Sequence, residues 1–322
     1  MRAGALASLL ALAFGASACA PYATPSREPF LPSRHDYEAF RNAHPDLADH
    51  LLEPNYLPFM AHRMELASRN EDVIVFCRWD ESRFPLAVHV EPPRIGEELQ
   101  SEFNPQDPAE YVEAAWRAIE SWQKAAAGAV SFRRAEGGWT EADLRVELVG
   151  EQGPAPEEGV QVLGTTPLAR ACRVEGRGLF QGRLDVSFRV PVLRVYVADQ
   201  HGLLLADQVE RNVLHEMGHA LGMKGHSPIP ADLMYEVARD RRVSRLSSED
   251  LNSFRSLYAI PNGTIYARLP RGAALPRPPA EAPAGPVQLS ASPYVDERLG
   301  YALRVPAGWR LIPARRGVVA ID

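Results

Sequence analysis

Residues 215–226 read HEMGHALGMKGH, and this stretch constrains the fold more than any other part of the chain. On a helix, His215 and His219 stand four residues apart and project from one face, so both imidazoles can reach a single metal ion. Glu216 sits beside the first of them, where a carboxylate can take a proton from a water acidified by the metal and pass it to a leaving amine. Val213, Met217 and Leu221 fall on the opposite side, so the helix needs a core behind it and a cleft in front. Gly222 is suited to a helix C-terminus, where glycine most easily takes the left-handed backbone, and His226 follows within reach as a third ligand.

An HExxH pentad also arises by chance as a surface histidine pair, so its surroundings decide its meaning. Asp107-Pro108-Ala109-Glu110 combines an N-cap, a first-turn proline and a carboxylate, which predicts a helix start. Val112, Trp116, Ile119 and Trp122 recur on its core-facing side. Asp207-x-x-Glu210 reads as a capping box opening the helix of the motif, and Ser247-Ser248-Glu249-Asp250 opens a last helix that stops before Pro261 and buries Leu251, Phe254, Leu257 and Tyr258. "PLAVHVEP", "ADLRVELVG" and "LDVSFRVPVLRVYVAD" alternate like strands. The last is interrupted at Pro191, which suits a sheet edge. Asp232-Leu233-Met234-Tyr235 places a methionine shortly after the third histidine.

Taken together, "HEMGHALGMKGHS", "DLMY" and "LSSEDLNSFRSLY" resemble the metzincin metalloproteases, and within them the matrixin-like branch, over roughly residues 73–260. The resemblance implies an α+β catalytic domain: a twisted mixed sheet, an active-site helix, and a C-terminal helix after a turn bearing a methionine beneath the metal. It also implies one catalytic Zn2+ held by His215, His219 and His226, Glu216 as general base, Met234 as the Met-turn residue, and protein or peptide substrates. Two features depart from the family. The usual spacing puts the third ligand at position 225, which here is Gly225; His226 comes one residue later, and because the insertion follows Gly222 it lengthens a turn without rotating either helical ligand. The histidine- and aspartate-rich loop of the animal members is absent, so structural metals are not expected. Glu236 is the alternative third ligand; it follows the methionine turn rather than opening a helix. His89 and His201 read as ordinary strand or surface histidines, Tyr235 as a packing residue, and Trp116 and Trp122 as core.

Location is read from the N-terminus, where one arginine, an apolar run over residues 5–14 and small residues form a secretory signal too short to span a bilayer. Ala16-Ser17-Ala18 fits a cleavage site, and with Cys19 it also resembles a bacterial lipobox. Lipidation of Cys19 leaves Cys77 and Cys172 as an even pair for a disulfide in an oxidising compartment, which favours a lipoprotein anchored in the cell envelope over free secretion. The sequence divides into a signal (1–18), a tether and N-terminal segment (19–70), a zinc protease domain (71–262), a proline-rich linker (263–286) and a short β-rich segment (287–322). Residues 270–286 hold six prolines. Within the N-terminal segment, "YEAF" and "LADHLL" read as short helices wrapping the domain rather than as a removable pro-segment, since no cysteine switch is present. In the C-terminal segment, Pro306 to Gly308 reads as a turn between strands. The net charge of −6, with both signs interspersed, shows no basic stripe for nucleic acid.

The leading expectation is a zinc endopeptidase of the envelope or extracellular space. A non-catalytic metal-binding lipoprotein acting as a binding module is the alternative, and a self-processing enzyme is a third.

Overall fold

The computed structural model describes residues 34–66, 70–100, 107–155, 161–180, 183–236, 245–271, 294–296, 301–303, 310–314 and 317–321. The signal, Cys19, the tether up to residue 33, most of the proline-rich linker and the Pro306 to Gly308 turn lie outside them.

In chain order the first unit contains α1 (Arg34–Ala43), β1 (His62–Leu66), β2 (Glu71–Val75), β3 (Leu86–Glu91), α2 (Pro108–Ala125), β4 (Phe132–Arg134), β5 (Leu144–Gln152) and β6 (Gly164–Thr165). It continues with β7 (Cys172–Phe180), β8 (Arg183–Phe188), β9 (Val192–Asp199), β10 (Gly202–Leu203), α3 (Ala206–Ala220), α4 (Ser248–Ala259) and β11 (Ile265–Pro270). The main sheet runs β10-β9-β5-β3-β4, with β6 also on β9. β4, β3, β5 and β9 are mutually parallel, while β6 and β10 run antiparallel to β9. The result is the mixed α+β architecture expected from the sequence.

β3 is interior rather than half-exposed: parallel neighbours flank it, and Leu86, Ala87 and Val88 are all buried. Pro191 behaves differently from an edge marker. It separates β8, which pairs with β7 in a hairpin, from β9, which lies inside the main sheet. A residue without an N–H ends one ladder and lets the chain change sheets, while its carbonyl still accepts from Arg145 N.

α2 starts as expected, with Asp107 accepting from Ala109 N at 2.9 Å. Its buried face centres on Tyr111, Ala115, Ala118 and Trp122, with Val112 at the margin. The start of α3 corrects the sequence reading. Leu205 occupies the N-cap; a leucine side chain accepts nothing, so the end is closed by Gln208, whose Oε1 accepts from Leu205 N at 2.9 Å. Asp207 sits inside the first turn, and Glu210 reaches Arg117 of α2 at 2.7 Å. α4 opens with the expected box: Ser247 Oγ accepts from Asp250 N and Asp250 Oδ2 accepts from Ser247 N, both at 2.9 Å.

The N-terminal residues are part of this core. Phe40, Leu47, Leu51, Tyr56, Leu57 and Met60 are all buried in it. At the other end, the stretch after residue 262 begins as a strand: β11 pairs with β2 to complete a three-stranded β1-β2-β11 sheet. The second unit, Pro276–Asp322, contains β12 (Tyr294–Asp296), β13 (Tyr301–Leu303), β14 (Arg310–Ala314) and β15 (Gly317–Ile321), paired as two hairpins, β12 with β13 and β14 with β15. Among the described residues no helix is long and apolar enough to cross a membrane.

Candidate metal centre

α3 is fixed from behind before its histidines matter. Trp122 Nε1 donates to Leu214 O at 2.7 Å, while Val213, Met217 and Leu221 are fully buried. Its last carbonyls are occupied too: Trp79 Nε1 donates to Ala220 O at 2.8 Å and Tyr258 Oη to Leu221 O at 2.9 Å. Gly222, at φ +110°, ends the helix. Gly222 N bonds His219 O and Met223 N bonds Gly218 O, at 3.0 and 3.1 Å, the paired closure typical of a left-handed C-terminal residue.

His215, His219 and His226 converge, each offering a ring nitrogen within 4.8 Å of the others. His215 Nδ1 lies 2.8 Å from Leu233 O, and His219 Nδ1 lies 2.6 Å from Met223 O. A carbonyl only accepts, so in both rings Nδ1 carries the hydrogen and Nε2 is left with its lone pair. His219 Nε2 and His226 Nε2 are 3.1 Å apart. Two nitrogens bound to one tetrahedral zinc ion stand about 3.3 Å apart, so the donor set fits the ion. Burial lowers the pKa of His215 to about 4 against the hydrogen bond to Leu233, that of His226 to about 3, and that of His219 well below its ordinary value. All three rings are therefore neutral at pH 7, the form that binds metal. Glu236, His89 and His201 lie outside the cluster.

The loop between Gly222 and His226 explains how the extra residue is accommodated. Lys224 N donates to Met60 O at 3.4 Å, and a Cβ on Gly225 would stand 2.3 Å from Phe59 O. The turn is thus laid against residues 57–60 of the N-terminal segment, and only a glycine permits that approach. That segment is anchored in turn to α4: Tyr56 N donates to Ser253 Oγ at 2.8 Å and Leu52 N to Ser256 Oγ at 2.9 Å.

Met234 is fully buried, and its Sδ fills the space beside Gly218, where a Cβ would come within 2.5 Å of it. Its turn is held at both ends. Ser227 N donates to Met234 O at 2.8 Å, and Asp250 accepts from Leu233 N at 3.0 Å and Met234 N at 3.3 Å. The buried Asp250 also accepts from Tyr56 Oη, joining the N-terminal segment, the methionine turn and α4 at one carboxylate. Ser227 Oγ, next to the third histidine, donates to Asp232.

Glu216 is 2% exposed. Its Oε2 accepts from Thr166 Oγ1 at 2.6 Å, and a Cβ on Gly164 would lie 2.5 Å from its Oε1. The end of β6 therefore cradles this carboxylate. Sequence reasoning missed Thr166 and Gly164, which stand about fifty positions away in an undistinguished "LGTTP". It read Asp250 only as a helix cap, because nothing local reports what else reaches it.

Cys77 and Cys172 form a disulfide, tying the residues just after β2 to the β7–β8 hairpin.

A curled mixed sheet backed by helices, with three converging histidines on the motif helix and the turn after it, defines a metzincin-type zinc metallopeptidase. The matrixin profile matches residues 98–259, half of the chain, and the protein belongs to that family. No curated protein matches the chain.

Proposed function

We propose that the protein is an envelope-anchored endopeptidase in which His215, His219 and His226 hold one zinc ion and Glu216 is the general base. The observation that carries this reading is the Glu216 carboxylate, buried on the same helical turn as two of the histidines and held at one oxygen by Thr166. When bound, zinc lowers the pKa of a water to about 7 and polarises the scissile carbonyl.

The rest falls to this chain's residues. Leu233 and Met223 carbonyls keep two imidazoles in the ligating tautomer. Thr166 fixes the orientation of the Glu216 carboxylate by donating to Oε2, and this carboxylate takes the water proton and returns it to the leaving nitrogen. Met234, fully buried, packs beside Gly218 of the motif helix, and β6, paired only with β9 among the described residues, presents an edge to which an extended peptide can add. The catalytic unit spans residues 34–271, with residues 34–61 retained as a structural wrap.

Glu216→Gln keeps size and polarity but accepts no proton. It is expected to retain one zinc per chain and the parent's circular dichroism while peptide cleavage falls by about 10² to 10⁴. Cleavage at the parent's rate overturns the mechanism, and a parent that binds zinc but cuts nothing in a broad peptide library overturns the endopeptidase reading. The anchor rests on the A-S-A-C end of the signal. Intact mass of the mature protein should show an acylated chain beginning at Cys19; an unmodified chain beginning there, or any other start, refutes the anchor.

A further inference from the structure

Just past the residue that holds Glu216, the chain builds a groove of different character. Thr166 is followed by Pro167, which with Pro191 forms part of the wall of a groove of about 550 Å³. Arg170, Arg173 and Arg189 also line it, and all three are exposed. The pleat explains the grouping. In the β7–β8 hairpin, Cys172 pairs with Phe188 and Arg173 with Ser187. Cys172 and Phe188 turn inward, to the disulfide and the core. Arg173, Ser187 and Arg189 therefore share the outer face, since successive side chains alternate. Arg189 N donates to Ala171 O at 2.9 Å, docking the loop that bears Arg170 against the hairpin.

Among the described residues none of the three guanidiniums forms an ion pair. The one carboxylate in the lining, Glu175, accepts from Ser187 Oγ. Three positive charges against one negative are thus concentrated in one groove of a chain whose net charge is −6. Such a concavity focuses a positive field, and guanidinium forks match carboxylates bidentately.

We propose that this groove is a subsite for acidic side chains, aspartate or glutamate, of the polypeptide substrate. The proposal rests on the endopeptidase reading. Its location favours substrate over any other anion, because one unbroken stretch runs from β6 through the Glu216-holding Thr166 into the groove wall. A peptide added along β6 would have this contiguous wall at its side.

The test uses the full chain and a cleavable peptide from a library, remade with either glutamates or glutamines flanking the cut. Replacing all three arginines (R170Q/R173Q/R189Q) should lower the ratio of kcat/KM for the acidic over the neutral peptide by about tenfold, with zinc content intact. Salt should reduce the ratio in the parent and leave it flat in the variant. The lysine counterparts should restore part of it. An equal ratio in parent and variant overturns the proposal, and R189Q alone serves if the triple variant does not fold.

A separate arm distinguishes this failure from failure of the enzymatic reading. Binding of a fluorescent oligoglutamate is measured by anisotropy in the inert Glu216→Gln chain with and without the arginine changes. Salt-sensitive binding lost with the arginines sustains the groove even if no peptide is cut. Absence of binding, or binding of anionic phospholipid vesicles in place of the peptide, overturns it.

Discussion

At the residue scale, the burial that prepares the three site histidines also acts on a fourth. His62 is buried against Phe188, its Nε2 has no hydrogen-bond partner among the described residues, and burial, aided by Lys224, lowers its pKa to about 3. The unfolded histidine titrates near 6.5. Between those values the unfolded chain binds a proton that the folded chain refuses. His62 therefore contributes stability that is present above pH 6.5 and is lost progressively as the pH falls towards 3, at up to about 1.4 kcal/mol per pH unit. His62→Leu should leave stability at pH 7 unchanged or slightly higher and reduce the acid slope by one proton in denaturant titrations of the metal-free protein. An unaltered slope would show that this ring charges within the fold.

At the scale of elements, the loop that carries His226 shows how an insertion is absorbed. Met223 is held by both its N–H and its carbonyl, so the extra length appears at Lys224 and Gly225, where residues 57–60 receive it. Gly225→Ala places a methyl group against the Phe59 carbonyl. It is expected to shift His226 and weaken zinc binding by about tenfold or more, as disturbed support around metal ligands commonly does. Chelator competition measures this, and thermal unfolding of the metal-free chain serves as control. Unchanged zinc affinity would mean that the loop sets itself without the wrap.

At the scale of the whole molecule, two seams besides the β2–β11 pairing close the described chain on itself. One is the N-terminal wrap, which contacts both α4 and the loop that carries His226. The other is the Cys77–Cys172 bond, which spans 95 positions. On a loop-entropy estimate, a cross-link over that length stabilises the fold by about 4–5 kcal/mol. Replacing both cysteines by alanine should lower the unfolding midpoint accordingly. A Tm equal to that of the parent, or free thiols at both positions in the mature protein, would show that the bond carries no stability.

Much of this protein could be read locally. The period of four that puts two imidazoles on one face, the glycine that ends the helix and the Ser247–Asp250 box depend on neighbours within a turn, so the residues alone determine them. That His226 lies within reach of the helical pair was legible because the insertion lies beyond the helix end. What needed the tertiary structure was everything joining distant stretches: Thr166 on Glu216, Asp250 beneath the methionine turn, Phe59 against Gly225, and β9 in the interior of a sheet despite Pro191. A hydroxyl, a carboxylate or a backbone carbonyl carries no mark of its partner in sequence. Its role is set by the group packing brings within hydrogen-bond distance, and that packing is a property of the whole chain.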